Sequence, residues 1–159
     1  MEILEDKMKI VSGGMVSKLL QDVKIPKMFR ATQKFKDESI APENIKRVVY
    51  DEMGRKEISS KISPGMNIAI TAGSRGIRNV DIITKSIVDF VKEMGGNPFI
   101  VPSMGSHGGA TALGQLEVLA GYNITEETMG CPIKSSMEVV ELGVSSRNKK
   151  VYMDKNAFE

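Results

Sequence analysis

Twice in succession the chain passes from a short apolar run through a glycine-bearing turn into a helical pattern, and few folds accommodate that repetition. Met66-Asn67-Ile68-Ala69-Ile70-Thr71 reads as a strand, Ala72-Gly73-Ser74-Arg75-Gly76-Ile77 as a small-residue turn, and a helix follows from about Asn79. One unit later Pro98-Phe99-Ile100-Val101 reads as a buried strand, Val101 to Thr111 as a second turn with glycines at 105, 108 and 109, and Ala112 to Ala120 as a helix. Strand, crossover helix and strand in this order make a βαβ unit with parallel strands, which leaves both turns on one edge of the sheet. The class is therefore α/β, and that edge is where open α/β sheets bind ligands.

The remaining pattern supports this frame. Between the turns, Val80, Ile83, Ile87, Val91 and Met94 recur at helical spacing, with Asn79 placed to cap, Asp81 in the first turn and Gly95-Gly96 to stop the helix. After the second turn Leu113, Leu116, Leu119 and Ala120 form another stripe, with Thr111 as N-cap and Gly121 closing it. Thr125 to Thr128 begins a short helical turn, and Val139 to Leu142 with Lys150 to Met153 reads as a C-terminal β-hairpin. Upstream, Ser12 to Asp22 reads as a short helix and Ile40 to Asn44 as a helical turn introduced by Pro42. Ile45 to Asp51 reads as a strand, Asp51 to Arg55 as a loop, and Pro64-Gly65 as a turn.

The second turn carries His107, the single histidine of the chain, amid small residues, and the first carries Arg75. A permanently charged guanidinium beside a titratable imidazole, both in glycine-bearing loops near helix N-termini, suits a small anionic substrate or a phosphate. Either turn read alone is also what a tight βα connection needs, and neither matches a P-loop or the G-x-G-x-x-G dinucleotide pattern.

Composition excludes several partners. With 22 Lys and Arg against 20 Asp and Glu in 159 residues, the net charge of +2 points to no nucleic acid. Lys24, Lys27, Arg30, Lys34 and Lys36 cluster locally, and read as a solvated face on an extended segment or, with Arg30 foremost, as an anion-binding rim. No apolar run reaches membrane-spanning length, and the first residues lack the basic and apolar regions of a signal peptide. One cysteine, Cys131, forms no internal disulfide, fits a reducing cytoplasm and reads as a small buried apolar residue. No metal-ligand cluster is apparent in the spacing of His, Cys, Asp and Glu.

The two turns, Ala72-Gly73-Ser74-Arg75-Gly76-Ile77 and Met104-Gly105-Ser106-His107-Gly108-Gly109-Ala110-Thr111, together with Ile25-Pro26-Lys27-Met28-Phe29-Arg30 upstream, resemble the N-terminal domain of the nickel-dependent lactate racemase family. The resemblance runs from about Ile25 to the last residue. It implies a Rossmann-like, mostly parallel sheet flanked by helices over residues 1–159, as the N-terminal part of a larger two-domain protein whose C-terminal domain is the missing partner.

It further implies racemisation or epimerisation of a 2-hydroxy acid with a nickel-pincer nucleotide, the cofactor taking the α-hydrogen as hydride while histidines exchange the hydroxyl proton. On that resemblance His107 matches the acid/base histidine and Arg75 the arginine of the crevice, with Ser74, Arg75, Gly76, Gly105, Ser106, Gly108 and Gly109 as cofactor-binding positions. The cofactor-linking lysine, the nickel-binding histidine and the second acid/base histidine of the family match nothing in this chain, so the piece is expected to be inactive and to carry no bound cofactor alone. Its oligomeric state is left open.

The chain also departs from lactate racemases, which have an aspartate where Ala72 stands, a proline at Gly76, and Arg-Pro where Gly108-Gly109 follows the histidine. Those departures motivate a second reading from another class: a non-catalytic anion- or phosphate-binding module on the same scaffold.

Overall fold

The computed structural model describes residues 18–19, 22–24, 28–35 and 39–158, and the chain divides into two units, Met1–Asp37 and Glu38–Glu159. In the first unit Lys18 and Leu19 are helical, and residues 28–35 have no regular secondary structure, with Met28, Phe29 and Phe35 exposed. The rest of the helix expected over Ser12 to Asp22, apart from Asp22 itself, lies outside the described residues, as do Lys27 and Lys36. Lys24, Arg30 and Lys34 are exposed.

The second unit is mixed α/β, with a small parallel sheet and a separate antiparallel hairpin. It opens with α1 (Pro42–Met53), where a strand was expected over Ile45–Asp51. Pro42 stands in the first turn as anticipated, but the helix does not stop there. Ile45, Val48 and Val49 are β-branched, which favours a strand locally, yet they also fall at i, i+3 and i+4 and can share one helix face. Packing against the later helix α3 (Val80–Glu93) decides between the two periods. Ile45 is buried, the Tyr50 ring meets Phe90 edge to face at 5.3 Å, and the Tyr50 hydroxyl donates to Glu93 Oε1 at 2.7 Å. Burial, then the Glu93 carboxylate, push this phenol up to about 12.

A short helix α2 (Lys56–Ser59) leads to the turn at Pro64-Gly65, where the Met66 N–H donates to the Ser63 carbonyl at 3.1 Å and Gly65 takes a φ of 80°. Only glycine adopts that φ without strain, which is the physical basis of the turn signal at Pro64-Gly65. The Asn97 side chain then donates to the Gly65 carbonyl at 3.0 Å, so the starts of the two parallel strands are pinned together.

Those strands are β1 (Asn67–Ala72) and β2 (Asn97–Pro102), in parallel register from Asn67 opposite Asn97 to Ala72 opposite Pro102. Between them runs α3 (Val80–Glu93). On the far side of β2 the Ile100 N–H donates to the Pro132 carbonyl and the Lys134 N–H to the Ile100 carbonyl, both at 2.8 Å, making a parallel bridge to Ile133. Flanked on both sides, β2 buries Phe99, Ile100 and Val101, the continuous apolar run that a covered parallel strand requires.

The helix α4 (Ala112–Gly121) and the short α5 (Glu126–Met129) complete the core. Ile70, Ala72, Val88, Ile100, Leu119, Ile124, Met129 and Cys131 form one cluster. Cys131 is thus a buried core residue, and burial pushes its thiol up, away from the reactive thiolate. The caps are partly as the sequence suggests: the Thr111 hydroxyl accepts from the Gly114 N–H, and Thr125 and Thr128 form a reciprocal capping box. Asn79 differs. It stands at the N-cap of α3 in the left-handed region, at φ 58°, and its side chain makes no capping bond.

The strands β3 (Val139–Val144) and β4 (Lys150–Asp154) pair antiparallel as the expected hairpin, with a register irregularity between Glu141 and Gly143, and α6 (Lys155–Phe158) follows. No helix among the described residues is long and apolar enough to cross a membrane.

Candidate functional site

Both turns leave the sheet from its C-terminal edge, and the Ser103 N–H donates to the Ala72 carbonyl at 2.8 Å, so the parallel ladder continues to the point where they diverge. Immediately beyond, Ser74 Oγ lies 2.5 Å from His107 Nδ1, a contact across 33 positions of sequence. Ser74 is half-buried, and His107 and Arg75 are exposed.

Each turn is held from behind by α4 or its C-terminal extension. The Tyr122 hydroxyl donates to the Ser74 carbonyl at 2.9 Å, which fixes the peptide between Ser74 and Arg75. Gln115 Nε2 donates to the Gly105 carbonyl at 2.8 Å, and Gln115 is 4% exposed. A buried amide must have its hydrogen bonds satisfied, so this side chain is committed to holding the second turn. Neither residue was singled out from the sequence. Gln115 carried a faint signal, being a polar side chain one helical turn before Leu119 on the buried stripe; Tyr122, just past the helix, carried none.

The glycines divide into distinct roles. A Cβ on Gly108 would lie 2.4 Å from the Gly114 carbonyl carbon, and one on Gly114 would lie 2.0 Å from the Gly108 oxygen. The turn and the first turn of α4 therefore touch backbone to backbone, and both positions are closed to any side chain. Gly105 and Gly109 face open space but adopt φ of 60° and 66°. Ala110, at φ 54°, sits in the same left-handed region without glycine's freedom. Gly73 and Gly76 have neither a positive φ nor a contact closer than 3.8 Å, so nothing in the fold demands glycine there.

Recesses of about 310 and 350 Å³ lie elsewhere, one lined by Ile45, Val48, Arg78 and Ile83, the other by Leu116, Ala120, Ile124 and Ile133, and no residue of either turn that was assigned a role lines them. Arg75 makes no ion pair or hydrogen bond with its side chain among the described residues. The backbone N–H groups of Ser74, Arg75 and Gly76, and of Ser106, Gly108 and Gly109, likewise make no hydrogen bond among the described residues. No group of three His, Cys, Asp or Glu side chains that could hold a metal occurs among them.

Chemically the pair offers a hydroxyl, which both donates and accepts, against one ring nitrogen of an imidazole. The other ring nitrogen, Nε2, makes no hydrogen bond among the described residues and is left for solvent or a ligand. A guanidinium with five donors follows Ser74 directly. Such a set can bind a small anion and exchange a proton with it. No protein-family model, curated protein or solved structure matches this chain.

Proposed function

We propose that the two turns form the substrate- and cofactor-facing edge of a 2-hydroxy-acid racemase or epimerase domain, on a Rossmann-like scaffold in a cytoplasmic protein. The observation that carries this is the contact between Ser74 Oγ and His107 Nδ1. It supports a shared crevice because an imidazole meets the arginine-bearing turn at the C-terminal edge of two parallel strands. Arg75 supplies the fork for a carboxylate or a cofactor phosphate, with the N–H groups of Ser74, Gly76, Gly105, Ser106, Gly108 and Gly109 on the surrounding backbone. His107 exchanges the hydroxyl proton, the general acid/base task that an imidazole most often serves.

The likeness to nickel-dependent lactate racemases brings a nickel-pincer nucleotide to this reading. The described residues offer no cluster of metal ligands, so they do not fit the nickel itself.

Two measurements test the proposal. Lactate, malate and inorganic phosphate titrated into ¹⁵N-labelled protein should shift the amide resonances of both turns together; shifts confined to one turn, or none, would remove the shared crevice. The complete gene product, expressed where the cofactor is made, should interconvert the enantiomers of a 2-hydroxy acid, read by chiral chromatography, and no interconversion across a panel would leave only binding.

A second reading, a non-catalytic anion-binding module, is favoured by one observation: Arg75 and the unpaired N–H groups suffice for an anion without any role for the imidazole. If His107→Ala leaves phosphate binding intact while Arg75→Ala abolishes it, and no interconversion of enantiomers is found, the module reading stands in place of the enzyme.

A further inference from the structure

We infer that Ser74 is a positioning residue for His107: it accepts a hydrogen bond from Nδ1–H, which fixes the ring and leaves the Nε2 lone pair as the atom that takes a proton from the ligand. This rests on the proposed role of His107 as a proton acceptor and names the residue that makes it one.

The two nitrogens of a neutral imidazole are not equivalent, and which of them carries the hydrogen is set by the partner of the other. A histidine that accepts a proton through Nε2 must carry its hydrogen on Nδ1, and Nδ1 must then face an acceptor. Ser74 Oγ, 2.5 Å away, is the one partner that Nδ1 has among the described residues. No carboxylate takes that place, which in other sites is the usual means of orienting an imidazole. A hydroxyl does it at lower electrostatic bias, because it carries no charge, and it remains a competent partner when the ring becomes an imidazolium.

The backbone that carries the hydroxyl is itself held. Tyr122 secures the Ser74 carbonyl at 2.9 Å, the Arg75 carbonyl accepts from the Ile77 N–H at 2.7 Å in a tight turn, and Ser74 is half-buried. On the other side, the His107 N–H donates to the Met104 carbonyl at 3.3 Å and Gln115 secures the neighbouring Gly105 carbonyl. Both ends of the contact are thus anchored to the scaffold by bonds that do not involve the ring. A geometry fixed from both sides is what positioning requires.

The single histidine makes the test direct, because its two ring nitrogens are the only imidazole resonances in the spectrum. With ¹⁵N-histidine-labelled protein held above the ring's titration, Nδ1 is expected to resonate as a protonated nitrogen and Nε2 as a bare one. Ser74→Ala should move the pattern to the opposite tautomer, Nε2–H, which free imidazole side chains prefer, and Ser74→Thr, which keeps a hydroxyl, should restore it. Far-UV circular dichroism and the methyl spectrum of the core report that each variant is folded. An Nε2–H pattern in the unaltered protein overturns the inference without needing any variant, as does an unchanged pattern in folded Ser74→Ala. Covalent labelling of Ser74 by a fluorophosphonate also overturns it, since it would mark the serine as a nucleophile. Titration with phosphate and lactate reads the anion site separately: lost binding with the Nδ1–H pattern retained counts against the proposed function and leaves the positioning role standing.

Discussion

The two turns look alike in sequence and are built by different means. In the His107 turn the glycines are structural necessities: Gly108 and Gly114 meet backbone to backbone, Gly105 and Gly109 sit at positive φ, and the buried Gln115 amide ties the loop to α4. In the Arg75 turn Gly73 and Gly76 are under no such demand, and the Tyr122 hydroxyl is the one side-chain bond to its backbone among the described residues. One turn is clamped by backbone packing and carries the titratable group, while the other is secured by the Tyr122 hydroxyl and carries the charge. Glycine content alone therefore says little about which loop is rigid, because the same residue serves close packing in one and open space in the other.

The sharpest way to break this contrast is Gly114→Ala. A helix interior ordinarily gains about 1 kcal/mol from that change. Here the new methyl meets the Gly108 carbonyl, so urea denaturation should show a loss of about 2–3 kcal/mol, as overpacking typically gives. A neutral result would mean that the turn moves aside freely and is not clamped.

Next in size is Arg75→Ala. Removing a charged donor from an anion site costs about 1.5–3 kcal/mol, so phosphate or lactate affinity should fall by roughly tenfold or more. Because Arg75 is exposed and without an ion pair among the described residues, the unfolding midpoint should stay unchanged. Calorimetric binding and thermal melts of the same sample separate the two effects. A drop in stability with binding preserved would assign the arginine to the scaffold.

Gln115→Ala should cost about 1–3 kcal/mol, since it removes a buried amide and leaves the Gly105 carbonyl without its partner. Amide hydrogen exchange should quicken across residues 104–111 and not across 73–77, and an equal response in both turns would contradict separate clamping. The smallest effect belongs to Gly73→Ala and Gly76→Ala. With ordinary φ and no contact closer than 3.8 Å, each should change stability by no more than about 0.5 kcal/mol, in the direction of a gain from the stiffer unfolded chain. A large loss at either would show that the first turn is as constrained as the second.

The elements that were legible in sequence are those where local signals agree. Helix α3 has a strong stripe and stop glycines, β2 a continuous apolar run, and α4 a threonine cap and closing glycine, and each forms close to where the pattern put it. Pro64-Gly65 and the hairpin follow from turn chemistry and alternation in the same way. The failure at Ile45–Asp51 is equally instructive, because a short β-branched run satisfies both periods and only burial against Phe90 and its neighbours selects the helix. At the site, His107 and Arg75 stood out by residue type and by their glycine neighbours. Gln115 and Tyr122 did not, since their importance lies in which distant carbonyl each one reaches.

The order of strand, turn and helix, the parallel pairing and the common edge of the two turns were determined by the sequence alone, because periodicity and glycine act over a few neighbouring residues. Which nitrogen of His107 meets Ser74, which glycines are packed and which are free, and what holds each turn in place were decided only by the tertiary structure. Those features are distances between groups far apart along the chain, down to a 2.5 Å contact across 33 positions, and no local preference encodes a distance.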